Sequence, residues 1–370
     1  MEEVAKLAKE LIAIPSVSGD EAEILKFCAD WFRGTEFDDV FTDDMFTAGV
    51  VRAASGTASR ALILCGHVDT VAPGDESAWS RNPWQAYVRD GRLYGLGSGD
   101  MKMGVALQMI VAKEYINARR DNLDVWCVVV ANEEVDGAGS AAFTNFFAQQ
   151  TNYEEVSCLI AEPTDGDRIE VGHRGNRFVE LEFSGTAGHA SQEENYQASA
   201  LPKMAHFLMR LPNIRETLHQ TYRHNMLGEP SFTPTRVSPS QSFSANKTAD
   251  KTYVALDIRT TPGLDEAFDR QMNVFAEEYD FSWRYAAEPV SSALCADDAP
   301  ILRAVQTCLP EGRVSVSLGA TDQAFFQDIG VQTVVYGSGD FARAHTTDES
   351  VSLEKAKTAL AVYRRVVALL

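Results

Sequence analysis

Four short stretches of the chain are apolar almost without interruption: ALILCG (61–66), DVWCVVVA (124–131), VSCLIA (156–161) and QTVVYG (332–337). Each is rich in Val, Ile, Leu or Cys and lacks strict alternation, which predicts strands buried on both faces of a helix-covered sheet. Residues 101–118 and 351–370 repeat apolar positions every three or four residues and predict helices. The middle of the chain has another rhythm. RFVELEFSG (177–185) and TYVALDIRT (252–260) alternate apolar and polar residues, as half-exposed strands do. Helical patterns follow at 199–211 and 264–280, FSWRYAAE (281–288) predicts a closing strand, and 232–238 supplies one more. Strand–helix–strand–strand–helix–strand is the split βαβ order. The expected fold is therefore α/β: a mostly parallel central sheet flanked by helices (residues 1–175 and 287–370), with an inserted α+β, ferredoxin-like domain at 176–286.

The buried runs end on chemistry. After the first come His67 and Asp69; after the second, Glu133 and Glu134; after the third, Glu162; after the fourth, a loop leading to His345. Asp100 ends the turn YGLGSGD before a helix. The carboxyl edge of a parallel sheet is where open α/β folds build their sites. Carboxylates gathered there repel one another, and desolvation adds to the cost. Divalent cations relieve both, and mixed imidazole and carboxylate donors suit zinc, with cobalt or manganese as substitutes. Taken singly each residue has an ordinary explanation. His67 and Asp69 could form a structural pair, Glu133 and Glu134 a solvated strand end, Asp100 a helix N-cap and Glu162 a turn. Their joint placement at strand ends is what argues for a site. A dinucleotide reading of GLGSGD fails, because Asp100 stands where the third glycine belongs and would face a pyrophosphate.

Composition narrows the class. Lys and Arg total 33 against 53 Asp and Glu, a net charge of −20, so nucleic acid and anionic membranes are not expected partners. No run of 18 apolar residues exists, and the N-terminus begins acidic, unlike a signal peptide. Six scattered cysteines form no Cys-x-x-Cys pair, which fits a reduced, cytoplasmic protein.

In order along the chain stand GHVDTV (66–71), LYGLGSGDMKMG (93–104), ANEEVDGAGS (131–140), AEPT (161–164), SGTAGHAS (184–191), LDIRTTPG (256–263), GATD (319–322) and AHTTDE (344–349). This set resembles the di-zinc metallopeptidase family of acetylornithine deacetylases, succinyl-diaminopimelate desuccinylases, aminoacylases and carboxypeptidase G. The resemblance implies that His67 and Glu162 bind one zinc, Glu134 and His345 the other, and that Asp100 bridges them. Glu133 would be the general acid/base, and Asp69 would hold the rear nitrogen of His67. The inserted domain would be a lid and homodimer surface, with His189 reaching the partner's site to help hold an oxyanion. Arg259 matches an arginine associated with the substrate carboxylate. Asn246 lies where the family often has Asn-x-x-Pro, but Ala249 replaces the proline here. Met103 replaces a common glycine. His173, His206, His219 and His224 match nothing and are expected at the surface or in structural roles. The implied activity is removal of an acyl group from a small N-acyl amino acid, N-acetylornithine or N-acetylcitrulline first. Succinyl-diaminopimelate, dipeptide and carboxypeptidase substrates are alternatives, as is a non-catalytic metal-binding homologue.

Overall fold

A computed structural model describes residues 1–150, 153–239 and 244–370. The chain divides into two compact units: Met1–Gly172 with Leu294–Ser317 and Thr321–Leu370, and His173–Ala293 with Leu318–Ala320.

The first unit is built on a nine-stranded sheet. Its middle holds Leu123–Val130, Arg60–His67, Glu155–Ile160 and Gln332–Val335 side by side and parallel. These are the four apolar runs, and Leu123–Val130 is buried at every position. The registers pair His67 with Val130, Cys65 with Ile160, and Val335 with Ile160, so the carboxyl ends come out along one edge. Antiparallel strands flank this centre, Asp39–Thr42 and Phe46–Val51 on one side and Arg168–His173 on the other.

The helix Met103–Tyr115 is buried on nearly every face, and its neighbours include the helices Glu2–Ile12 and Leu353–Leu369. It begins two residues later than its apolar pattern, because Asp100 (φ −125°, ψ 92°) and Met101 (φ −134°, ψ 29°) are not helical. Lys102 stands directly before the helix, so Asp100 is not its N-cap. All six cysteines are free and buried. No helix among the described residues is long and apolar enough to cross a membrane.

The second unit carries a four-stranded antiparallel sheet in the order Ser231–Pro239, Lys251–Thr260, Gly175–Ser184, Ser282–Tyr285. Apart from the short helix Glu193–Gln197, its connectivity is strand–helix–strand–strand–helix–strand. Alternation decides its core: Val179, Leu181, Phe183, Val254, Leu256 and Ile258 are buried with Phe207, Leu211, Leu264, Phe268 and Met272 from the two helices. The first helix, expected to stop before Pro212, runs through it as Ala200–Tyr222. Proline removes one helical N–H bond. Beyond it, Ile214 and Leu218 stay buried in the core, and that packing carries the helix on.

Candidate metal centre

Each turn at the sheet edge is shaped by local chemistry. Asn132 takes φ +59°, a left-handed conformation that asparagine tolerates. Its side chain donates to Asp136 at 2.6 Å, and the Gly137 amide returns to its carbonyl at 2.9 Å. That turn presents Glu133 and Glu134. Gly337, just after the strand Gln332–Val335, lies against the third turn. A Cβ there would stand 2.3 Å from the Ala161 carbonyl oxygen and 2.4 Å from that of Glu162, so only glycine lets these turns approach.

Five side chains meet at this edge in two groups, His67–Asp100–Glu162 and Asp100–Glu134–His345. Within each, the potential donor atoms lie within 4.8 Å of one another. His67 Nε2 is 3.1 Å from Asp100 Oδ1 and 3.5 Å from Glu162 Oε1. His345 Nε2 is 3.4 Å from Asp100 Oδ2 and 2.8 Å from Glu134 Oε1. Asp100 thus turns one oxygen to each histidine. Glu162 Oε1 is buried and has no hydrogen-bond partner. An orphaned buried carboxylate oxygen is costly unless a cation completes it. The donor set of two imidazoles and three carboxylates fits a pair of zinc-class ions.

Asp69, fully buried, organises the floor. Its Oδ1 accepts the Glu133 amide and its Oδ2 the Glu134 amide, both at 3.1 Å, and Ser18 Oγ donates to Oδ2 at 2.8 Å. The rear Nδ1 of His67 lies 3.1 Å from the Asp69 carbonyl oxygen and 3.4 Å from its carboxylate. An Nδ1–H donating to that carbonyl orients the ring so that Nε2 faces Asp100 and Glu162, the position from which it can bind a cation once its proton has left.

Charge in the metal-free protein follows from this crowding. Burial opposes a charged His67, but Glu162, Asp100 and Asp69 override it and hold its pKa well above the usual range. Hydrogen bonds that His345 donates to Asp100 and Glu134 push it up to about 10. Burial raises Glu162, with Asp100 adding to the shift and His67 opposing it. Burial also raises Glu133, against the pull of His67 and with Asp322, Glu134 and Asp100 reinforcing. The surrounding carboxylates therefore favour the protonated form of both histidines in the metal-free protein, and a cation competes with those protons for Nε2. Zinc binding at pH 7 is expected to release about one to two protons per chain, and apparent affinity to rise with pH through neutrality. Calorimetry in buffers of different ionisation enthalpy reads this directly, and an enthalpy independent of buffer would contradict it.

Two further buried carboxylates, not among the expected site residues, lie inside the same motifs. Asp322, in GATD, is buried, and burial lifts it to about 7 against a hydrogen bond from Ser140. Glu349, in AHTTDE, accepts backbone amides from the turn that carries Asp100. Acidic residues embedded in a recurring motif were the available signal.

The remaining candidates belong to the second unit. His189 is exposed and its Nδ1 lies 2.8 Å from Ser191 Oγ. Asn246 is exposed and accepts from Ser244 Oγ at 2.7 Å. Arg259 is held by Asp257, Nε at 2.8 Å and Nη2 at 3.0 Å. Of the unmatched histidines, His173 is buried in the strand Arg168–His173, whereas His206 is exposed and lies against the ring of Tyr279.

Comparison with known proteins adds a family. The sequence profile of peptidase family M20/M25/M40 matches residues 63–369. An acetylornithine deacetylase of Edwardsiella ictaluri is 28% identical over 364 residues, covering 94% of this chain and 92% of its own. A succinyl-diaminopimelate desuccinylase of Stenotrophomonas maltophilia is 27% identical over 393 residues, covering 99% of both. Among solved structures, an M20 family metallo-carboxypeptidase from Sulfolobus solfataricus superposes with a TM-score of 0.78 at 15% identity, covering 100% of this chain and 99% of its own. A Bacillus subtilis protein described as a dinuclear metal binding peptidase of the M20 family gives 0.71 at 14% identity, covering 100% and 98%.

Proposed function

The chain belongs to peptidase family M20/M25/M40 and is a hydrolase of amide bonds, and from that premise we propose that it is a di-zinc deacylase of N-acetylornithine or a close analogue such as N-acetylcitrulline. The observation that carries the di-zinc reading is Asp100, whose two oxygens face different histidines in two overlapping donor groups. His67 and Glu162 would hold one ion, Glu134 and His345 the other, with Asp100 shared. Bound there, two zinc ions would polarise the scissile carbonyl and make a water acidic near neutrality.

The chain's own residues do the rest. Asp69 fixes the Glu133–Glu134 turn through two amides and buttresses His67. Glu133 belongs to neither donor group, which leaves its carboxylate to take the proton of the attacking water and pass it to the leaving nitrogen. In the second unit, His189 would help hold the oxyanion. Arg259 would bind the substrate carboxylate in exchange for Asp257, and Asn246 would line the same subsite. That unit would serve as the lid and as the contact between two copies of the chain.

The substrate assignment is supported by the acetylornithine deacetylase relatives. Desuccinylase relatives that match 99–100% of this chain support succinyl-diaminopimelate as the second reading. With zinc or cobalt supplied, kcat/KM for N-acetylornithine or N-acetylcitrulline is expected to exceed that for succinyl-diaminopimelate by at least about tenfold. The reverse order would transfer the assignment to the desuccinylase. No turnover of any N-acyl amino acid or dipeptide, with two ions bound, would leave a non-catalytic homologue.

A further inference from the structure

Glu349 lies four residues beyond His345, is 1% exposed, and belongs to neither donor group. Its carboxylate gathers the backbone of the turn before Asp100. Oε2 accepts the Gly97 amide at 2.8 Å, and Oε1 accepts those of Gly99 at 2.7 Å and Asp100 at 3.0 Å. Its own carbonyl accepts a fourth, from Gly95, at 3.1 Å. Backbone amides of one turn converging on an anion form the kind of cradle that many proteins use for phosphate or another bound anion. Here the chain fills the cradle with its own side chain.

The turn is pinned from beneath as well. Gly97 takes φ +75°, and a Cβ there would stand 2.7 Å from Thr70 Cγ2 and 3.2 Å from Lys102 Cδ. The Lys102 ammonium, fully buried, donates to the carbonyls of Leu11 and Ile14, each at 3.1 Å. Beyond Glu349, the strand Ser350–Ser352 pairs with Arg92–Tyr94, which leads into the same turn. Two segments 250 residues apart in sequence are thus joined at one carboxylate. One carries Asp100 and the other carries His345, and both belong to the Asp100–Glu134–His345 group.

We propose that Glu349 is a positioning residue that clamps the Asp100 turn to the His345 segment and so sets the affinity of the cation held by Asp100, Glu134 and His345. The inference rests on the di-zinc reading above. A buried carboxylate satisfied by amides could serve stability alone, and the two roles separate experimentally. Glu349→Gln keeps size and shape but turns one acceptor into a donor facing an amide N–H, so part of the cradle is lost.

The test uses the full-length, metal-free chain titrated with zinc alone, alongside amide exchange. In Glu349→Gln the cation proposed for Asp100, Glu134 and His345 is expected to bind at least about tenfold more loosely, so that one of the two zinc affinities falls well below its value in the unsubstituted chain. Exchange at Gly97, Gly99 and Asp100 should quicken by at least about tenfold. Turnover lost at limiting zinc should return with excess zinc, a recovery that a purely structural role would not produce. Unchanged affinities with unchanged exchange would overturn the clamp while leaving the di-zinc reading intact. Fewer than two zinc ions on the unsubstituted chain would instead overturn that reading, and the clamp's role with it. Should the variant not fold, the unsubstituted metal-free chain decides. Gly99 and Asp100 amides as protected as the helix Met103–Tyr115 support the clamp, and loop-like exchange there overturns it.

Discussion

Glu133→Gln is expected to lower kcat by at least about 10³-fold while two zinc ions remain bound and KM changes little. Glu133 stands beside both donor groups without joining either, so removing its charge leaves the five proposed ligands in place. Its backbone is fixed independently, by the amide bond to Asp69 Oδ1. In the metal-free protein burial lifts its carboxyl above the usual carboxylate range, with Asp322, Glu134 and Asp100 adding to the shift and His67 opposing it. A carboxyl outside the ligand set is the group left to accept a proton first and then donate it. Glutamine has the same shape and can do neither. Because the proton moves only as the bond breaks, the loss should fall on kcat and on kcat/KM equally. At saturating zinc the part of the acid limb that reports ionisation of Glu133 should vanish as well, since activity that needs an ionised Glu133 rises as pH passes its pKa. Zinc-loaded Glu133→Gln turning over at near the normal rate would remove this residue from proton transfer.

The parts of the fold that read clearly from sequence are those in which one physical demand governs a whole segment. A strand buried on both faces must be apolar throughout, so the four central strands stand out. A half-exposed strand must alternate, which is how Gly175–Ser184 and Lys251–Thr260 are seen. Elements settled by distant partners did not show. Phe46–Val51 pairs with Leu123–Val130, more than seventy residues away, and its Gly49 breaks any strand signal. A Cβ on that glycine would press into Phe32 and Phe37 at 2.7–2.8 Å, a packing reason invisible locally. The helical pattern was legible only over 199–211, yet the core beyond Pro212 holds the helix together to Tyr222. The candidate site divides in the same way. Residues at the ends of apolar runs announce themselves, because an ionisable group there needs a reason. Glu349 and Asp322 did not, because sequence displays a residue's type but not whether three amides or a buried wall surround it.

Asp100→Ala should abolish binding of both cations, whereas His67→Ala and His345→Ala should each cost about one. The difference follows from membership: Asp100 belongs to both donor groups and each histidine to one. In the metal-free protein Asp100 stays ionised despite burial, because hydrogen bonds from His345 and His67 hold its pKa below the usual range. Its negative charge is thus already committed to the two places where positive charge will sit. Without it, each cation would face one imidazole and one carboxylate, too few to replace its lost hydration. Zinc per chain after gel filtration is expected to fall from two to one in the histidine variants and toward zero in Asp100→Ala. Thermal unfolding gives an independent readout, since a ligand bound only by the folded state adds about 4 kcal/mol per site at a thousandfold excess over Kd. Excess zinc should raise the unfolding midpoint of the unsubstituted chain strongly, that of His345→Ala less, and that of Asp100→Ala hardly at all. Two zinc ions retained by Asp100→Ala, or a zinc-dependent rise in its midpoint equal to that of the unsubstituted chain, would mean that the cations lie elsewhere. The overlap of the two groups at this one carboxylate would then be an accident of packing.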